Sequence, residues 1–303
     1  MDSYNDAFIK NFITFTLSVI IMSINASFVY TYFKSRVFQR DPRYVLYTHL
    51  VINDMILLTI AVVLQITLYV ASLSLIPCCL LLLMAITTNK NSSLNLAGMA
   101  IERYVAICRP LHHAKICTRQ RTYILIGLIW GVSLTLALTD IFIFFATQPL
   151  SIFSRTILCY ASAVYSTPHH RAKSMVVQVL VFAVVFLILI ITYMKVFFAA
   201  RTASGTNQDS GRKACNTILL HGAQLLIYML SFLSPFINII LVTALPNSRT
   251  NIVFSTYLFT NVLPRLLSPL IYGIRDQKLR SHLKLYFLKG CFRPMAKKAK
   301  PRS

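Results

Sequence analysis

Charge is what this sequence has least of. Asp, Glu, Lys and Arg make up 13% of its 303 residues, about half the share of an ordinary soluble domain. Hydrophobic residues reach 56% and the mean hydropathy is +0.66. A single soluble core has no use for uncharged runs as long as those found here, so water is excluded as the solvent for most of the chain. Also missing are a Gly-rich phosphate loop, Cys and His at zinc spacing, and any nucleophile motif. No enzyme, metal or cofactor is therefore expected. The alternation of a barrel strand is absent too, as are the repeated halves of many transporters.

What remains is a series of apolar runs. Spans of roughly 20 such residues match the hydrocarbon thickness of a bilayer, and lipid offers no partner to a free backbone group, so they must be helices. Seven can be marked, at about Phe12–Phe33, Tyr44–Ser72, Ile76–Glu102, Thr122–Thr147, Ser174–Met194, Ala214–Ala244 and Asn251–Ile274. The expected fold class is an all-α membrane protein, a seven-helix bundle forming one domain over residues 1–303. The leading residues carry Asp2, Asp6 and Lys10 ahead of a run too long for a signal peptide, so the first span is expected to be an uncleaved anchor.

The net charge of +22 is distributed rather than clustered. With the N-terminus outside, 23 of the 30 Lys and Arg fall in inner segments and five outside. This is the positive-inside asymmetry, and it places the C-terminus in the cytoplasm of a plasma-membrane protein. A nucleic-acid partner is unnecessary; the basic tail, residues 287–303, instead suits anionic membrane lipid. Residues 276–286 pattern as a short amphipathic helix on the inner leaflet. Cys78, Cys79 and Cys159 fall on the oxidising side, where a loop-to-helix disulfide is plausible. Cys108, Cys117, Cys215 and Cys291 fall on the reducing side, and Cys291 is a candidate for palmitoylation.

The segment Met99-Ala-Ile-Glu-Arg-Tyr-Val-Ala-Ile-Cys-Arg-Pro-Leu-His112 resembles the signature of odorant receptors, within the rhodopsin-like class of G-protein-coupled receptors. Asn25, Asp54 and Trp130 look like that class's marker residues of spans one, two and four. Lys213-Ala-Cys-Asn-Thr217 with His221 resembles the entry to span six. Leu263-Pro-Arg-Leu-Leu-Ser-Pro-Leu-Ile-Tyr-Gly-Ile-Arg-Asp276 looks like the seventh-span motif of fish odorant receptors, with Ser268 in place of the usual asparagine. The N-terminal tail lacks a glycosylation sequon, and Tyr228 falls near, but not on, the span-six tyrosine of the family.

The resemblance implies a small-molecule odorant outside and a heterotrimeric G protein at the cytoplasmic face. It implies a Cys78–Cys159 bridge, the spacing back from Arg103 selecting Cys78 over Cys79. It also implies an activation switch built from Asp54, Glu102, Arg103, Tyr104, Arg265, Pro269 and Tyr272. Asp54 and Arg265 lie at similar depth, roughly 15–17 Å above the inner face at 1.5 Å per residue, and an intramembrane ion pair is expected between them. Pro264 and Pro269 should kink the last span.

Ala85, Ile86, Asn89, Lys90 and Ser93 are the candidate ligand-binding residues. Lys90 sits near mid-membrane, where an ammonium must face the bundle or a wet cavity, and an acidic ligand would give it a partner. The competing expectation is a structural Lys90–Asp140 bridge or a neutral lysine. His169 and His170 read as a solvated loop. Two other functions fit part of this pattern. A rhodopsin-like receptor for a metabolite or peptide shares the mechanics; a retinal pump needs a lysine in span seven, and residues 251–274 have none.

Overall fold

The computed structural model describes residues 4–70, 73–149, 156–157, 159–203, 208–276 and 278–282. Among them are eleven α-helices: α1 (Tyr4–Lys34), α2 (Arg36–Arg40), α3 (Pro42–Val70), α4 (Leu75–Cys108), α5 (Pro110–Ile116), α6 (Arg119–Thr147), α7 (Ala161–Val164), α8 (Pro168–Ala203), α9 (Gln208–Ala244), α10 (Arg249–Tyr257) and α11 (Leu263–Arg275). A π-helical turn, Leu258–Val262, joins α10 to α11 into one rod. With α1, α3, α4, α6, α8 and α9 this rod makes seven long elements. The chain is an all-α membrane bundle. Five of the rods are long and apolar enough to cross a bilayer by length and composition, and α9 carries a shorter apolar stretch at Leu233–Ala244.

Local chemistry sets the ends. Asp41 Oδ1 accepts from Arg43 N (3.0 Å), Thr118 Oγ1 from Arg121 N (3.3 Å) and Thr167 Oγ1 from His170 N (3.3 Å), which caps α3, α6 and α8. Pro42 and Pro168 occupy first helical positions, where no N–H is needed. α4 stops because Pro110 disfavours helical geometry at Arg109, whose φ and ψ are −136° and 57°. The helices run past the expected spans: α1 begins at Tyr4 rather than Phe12, and α8 extends from Pro168 to Ala203.

Apolar residues cover the outside of the bundle as well as its interior. On α8, Val176, Leu180, Val184, Leu187, Ile191, Met194 and Phe198 are exposed, a stripe at helical spacing that faces lipid. The opposite stripe, Val181, Val185, Leu189 and Val196, is buried. α4 is the hub, packed against α3, α6 and α8, and the middle of its buried face is polar: Thr87, Thr88, Lys90, Asn91, Ser92, Ser93 and Asn95 are all buried. Lipid gives apolar side chains no reason to prefer the interior, so close packing and interhelical hydrogen bonds hold such bundles together. Asn53 Nδ2 donates to Thr88 O and Ser92 Oγ (both 2.7 Å), and Asn95 Nδ2 to Leu46 O (3.0 Å). Trp130 Nε1 donates to His49 Nε2 (2.9 Å), tying α6 to α3. At Gly98 an added Cβ would meet Leu125 at 3.3 Å, so glycine sets how closely α6 approaches the hub.

Two short strands close one end. Leu73–Ser74 pairs antiparallel with Thr156–Ile157, which brings Cys159 beside the first turns of α4. Cys78 and Cys159 form a disulfide across a Cα separation of 5.5 Å, while Cys79 remains a thiol.

Candidate functional site

Below the disulfide lies a cavity of about 450 Å³, bounded by α3, α4, α6, α8, the α10–α11 rod and the Cys159–Ala161 segment. Leu57, Leu58, Leu64, Leu82, Leu136 and Val177 give it apolar walls. Ala85, Ile86, Asn89 and Lys90 contribute the α4 face, one turn apart as their spacing requires. Ser93 does not join them. It lies one turn deeper, its hydroxyl returned to Asn89 O (3.1 Å), and is outside the lining.

Four charged side chains reach the wall: Lys90, Asp140, Lys173 and Arg265. The Lys90–Asp140 bridge is not formed. Lys173 Nζ takes Asp140 instead (2.7 Å to Oδ2) and also donates to Leu136 O (2.6 Å). Lys173 lies near the start of α8 and Asp140 near the end of α6, so the two meet at the same end of the bundle. Lys90 Nζ donates to the neutral Gln178 Oε1 at 2.5 Å. His170 corrects the expectation of a solvated loop: it is 2% exposed, in the first turn of α8. Its Nδ1 bonds Thr167 Oγ1 (2.6 Å) and its Nε2 bonds Asp140 O (2.9 Å). His169 stays exposed.

The deep end of the cavity meets a buried ionic centre. Arg265 Nε faces Asp54 Oδ1 at 3.5 Å, with side chains 5% and 4% exposed, so the structure brings this pair together. Tyr228 Oη donates to Asp54 Oδ2 (2.6 Å) and Ser92 Oγ to Asp54 Oδ1 (2.9 Å). Arg265 Nη1 donates to Asn261 O on its own rod. Ser268, where the family motif has asparagine, reaches Tyr228. One carboxylate from α3 thus gathers hydroxyl donors from α4 and α9 and a guanidinium charge from α11.

The chain from residue 11 to residue 272 matches the family described as 7 transmembrane receptor (rhodopsin family). It is 30% identical to odorant receptor 131-2 of Danio rerio over 274 residues, covering 90% of this chain and 84% of the relative. Human olfactory receptor 10Q1 is 27% identical over 81% of this chain and 78% of the relative. Human olfactory receptor 1M1 is 25% identical over 63% and 61%. The chain belongs to the rhodopsin family of seven-transmembrane receptors, in its odorant-receptor branch. It is a multi-pass plasma-membrane receptor of the kind that couples to G proteins.

At the receptor's other end, Glu102 stands between Arg103 Nε (3.3 Å) and His113 Nε2 (3.1 Å) of α5. Tyr104 takes the Lys195 ammonium of α8 over its ring at 5.5 Å. Tyr272, fully buried, stacks on Tyr47 at 3.6 Å between centroids and lies edge-on to Tyr44. Asp276 closes this end of the receptor. It accepts from Tyr44 Oη (2.7 Å), faces Arg43 Nη2 (3.6 Å), and caps the next helical turn through Leu279 N (3.1 Å). Nearby, burial and the Glu102 charge push the Cys117 thiol above its ordinary range, so it stays protonated. Residues 283–303, including Cys291 and the basic tail, lie outside the described residues, as do residues 277 and 283–286 of the expected amphipathic helix, whose residues 278–282 are helical.

Three participants escaped the sequence reading: Gln178, the Lys173–Asp140 pair and the Tyr228–Asp54 bond. Lys173 fell one residue ahead of the expected fifth span, among the outside charges, whereas α8 already begins at Pro168. An intramembrane Asp140 signalled that some cation must reach it. Gln178 carried no such signal.

Proposed function

We propose that this chain, residues 1–303 as one receptor unit, is an odorant receptor that recognises a small monoanionic ligand in the cavity around Lys90. The disulfide end faces outward, and the Arg103 end activates a heterotrimeric G protein in the cytoplasm. The observation that carries the ligand class is the Lys90 ammonium on the cavity wall with Gln178 as its hydrogen-bond partner. Lys173 is balanced by Asp140 and Arg265 by Asp54. One positive charge is left over, on Lys90. A ligand with one carboxylate and an apolar body would neutralise it and fill the leucine-lined walls; a second negative charge would have no counter-ion. The basic tail would lie against anionic lipid.

The experiment is G-protein activation in cells against straight-chain and aromatic carboxylates, each paired with its methyl ester. Lys90→Met should weaken the acids at least roughly tenfold, the worth of one charge-assisted hydrogen bond, and leave responses to esters unchanged. Equal potency of acids on wild type and Lys90→Met, at equal surface expression, would remove the anion site. Gln178→Leu should have a smaller effect in the same direction, because Gln178 only orients the ammonium.

A further inference from the structure

Arg265 belongs to two sites at once. It lines the ligand cavity with Tyr257 and Asn261 of the same rod, and it is the counter-ion of Asp54. Its hold on Asp54 is the loosest of that carboxylate's contacts: 3.5 Å, against 2.6 Å from Tyr228 and 2.9 Å from Ser92. Arg265 Nε makes that approach without a hydrogen bond, and Nη1 is spent on Asn261 O, within the rod. A guanidinium carries five donors in a planar fork suited to a carboxylate.

The backbone that carries it is also lightly held. Pro269 has no N–H for the carbonyl of Arg265, and Pro264 has none for that of Thr260. The π turn Leu258–Val262 ends three residues before Arg265, and such turns cluster at functional sites.

We propose that Arg265 is a shared cation, held by Asp54 in the unliganded receptor and drawn to the ligand's carboxylate when the cavity fills. Asp54 keeps its two hydroxyl donors when the guanidinium leaves, so the carboxylate is never stripped. What changes is that α11 loses its direct charge contact with Asp54 of α3 and is linked to that carboxylate only through the Ser268–Tyr228 contact. Ligand charge thereby becomes motion of α11 relative to α3. The inference rests on the reading of the cavity as an anion site, and its test separates the two.

The full-length receptor in lipid nanodiscs is titrated with octanoate, decanoate and benzoate and with their methyl esters, and affinity is read from thermal stabilisation. Asp54→Asn removes the competitor for Arg265, so carboxylate affinity should rise at least roughly fivefold, the lower end of ordinary coupling between sites. Ester affinity should not move. Tyr228→Phe does the opposite: Asp54 loses a donor, clings harder to Arg265, and carboxylate affinity falls. A purely structural role would move both variants in the same direction and would treat esters and acids alike.

If carboxylates bind wild type through Lys90 while neither variant shifts their affinity, or both weaken it, Arg265 is not shared. The anion site then stands without it. If no carboxylate of the panel binds wild type, both readings fall. Should Asp54→Asn not reach the membrane, the sign of the Tyr228→Phe effect decides alone.

Discussion

A receptor carrying Asp54→Asn will lose most of its surface population, and adding Arg265→Leu to it will restore much of the loss. Both side chains are within a few percent of full burial. Removing one member of a buried ion pair typically costs about 3–5 kcal/mol, because the other charge is left without compensation, whereas removing both costs much less. Against a total stability of about 5–15 kcal/mol the single loss is severe. The two singles should differ. Asp54 without Arg265 retains hydrogen bonds from Tyr228 and Ser92, while Arg265 without Asp54 retains the Asn261 carbonyl, so Asp54→Asn is the worse. Surface labelling and thermal inactivation of solubilised receptor measure the cycle. A double variant as poor as Asp54→Asn would show that the two charges are held independently.

Loss of the disulfide should be comparable in size. The bridge spans a sequence separation of 81 residues, and closing a loop of that order restrains the unfolded chain by roughly 4 kcal/mol. Cys78→Ser and Cys159→Ser should each abolish most surface receptor, and the double variant should be no worse than either. Cys79 will not substitute for Cys78, since neighbours on a helix point about 100° apart. Peptide mapping without reduction should recover the Cys78–Cys159 pair. Receptor with free Cys159 that is as stable as wild type would overturn the expectation.

The sequence carried the bundle and its chemistry unevenly, for physical reasons. Apolar runs report the solvent of each segment directly, so the membrane fold was legible from hydropathy alone. Depth was legible as well, because helical rise is constant; that is why Asp54 and Arg265 could be placed at one level before any contact was known. Azimuth was not. Which of Lys90 and Lys173 meets Asp140 depends on the rotation of α4, α6 and α8 about their axes, and a rotation of one residue's width decides it. Ser93 lies outside the lining for a related reason: three residues from Lys90 it shares that general face of α4, one turn further along the helix. His170 looked like loop because a helix beginning at Pro168 has the composition of a loop in its first turn. Tyr228 was near a family position but mattered here through a carboxylate on another helix, which no local pattern announces.

The π turn in the last rod has a consequence in phase. An uninterrupted α-helix advances by about 100° per residue, so a wider turn that takes up one extra residue sets every later residue back by about that angle from where an uninterrupted helix would place it. Tyr257 lies ahead of the Leu258–Val262 turn and Arg265 behind it, yet both face the same cavity. The turn works as a phase adjuster between two half-helices. Deleting a single residue within it would let the turn close to ordinary α-helix with the two halves still in phase. Straightening the turn with every residue kept would instead swing α11 by about 100° beneath α10, carrying Arg265 off the cavity wall while Tyr257 stayed in place. The electrostatics of this receptor's interior therefore depend on a count of residues as much as on their kinds.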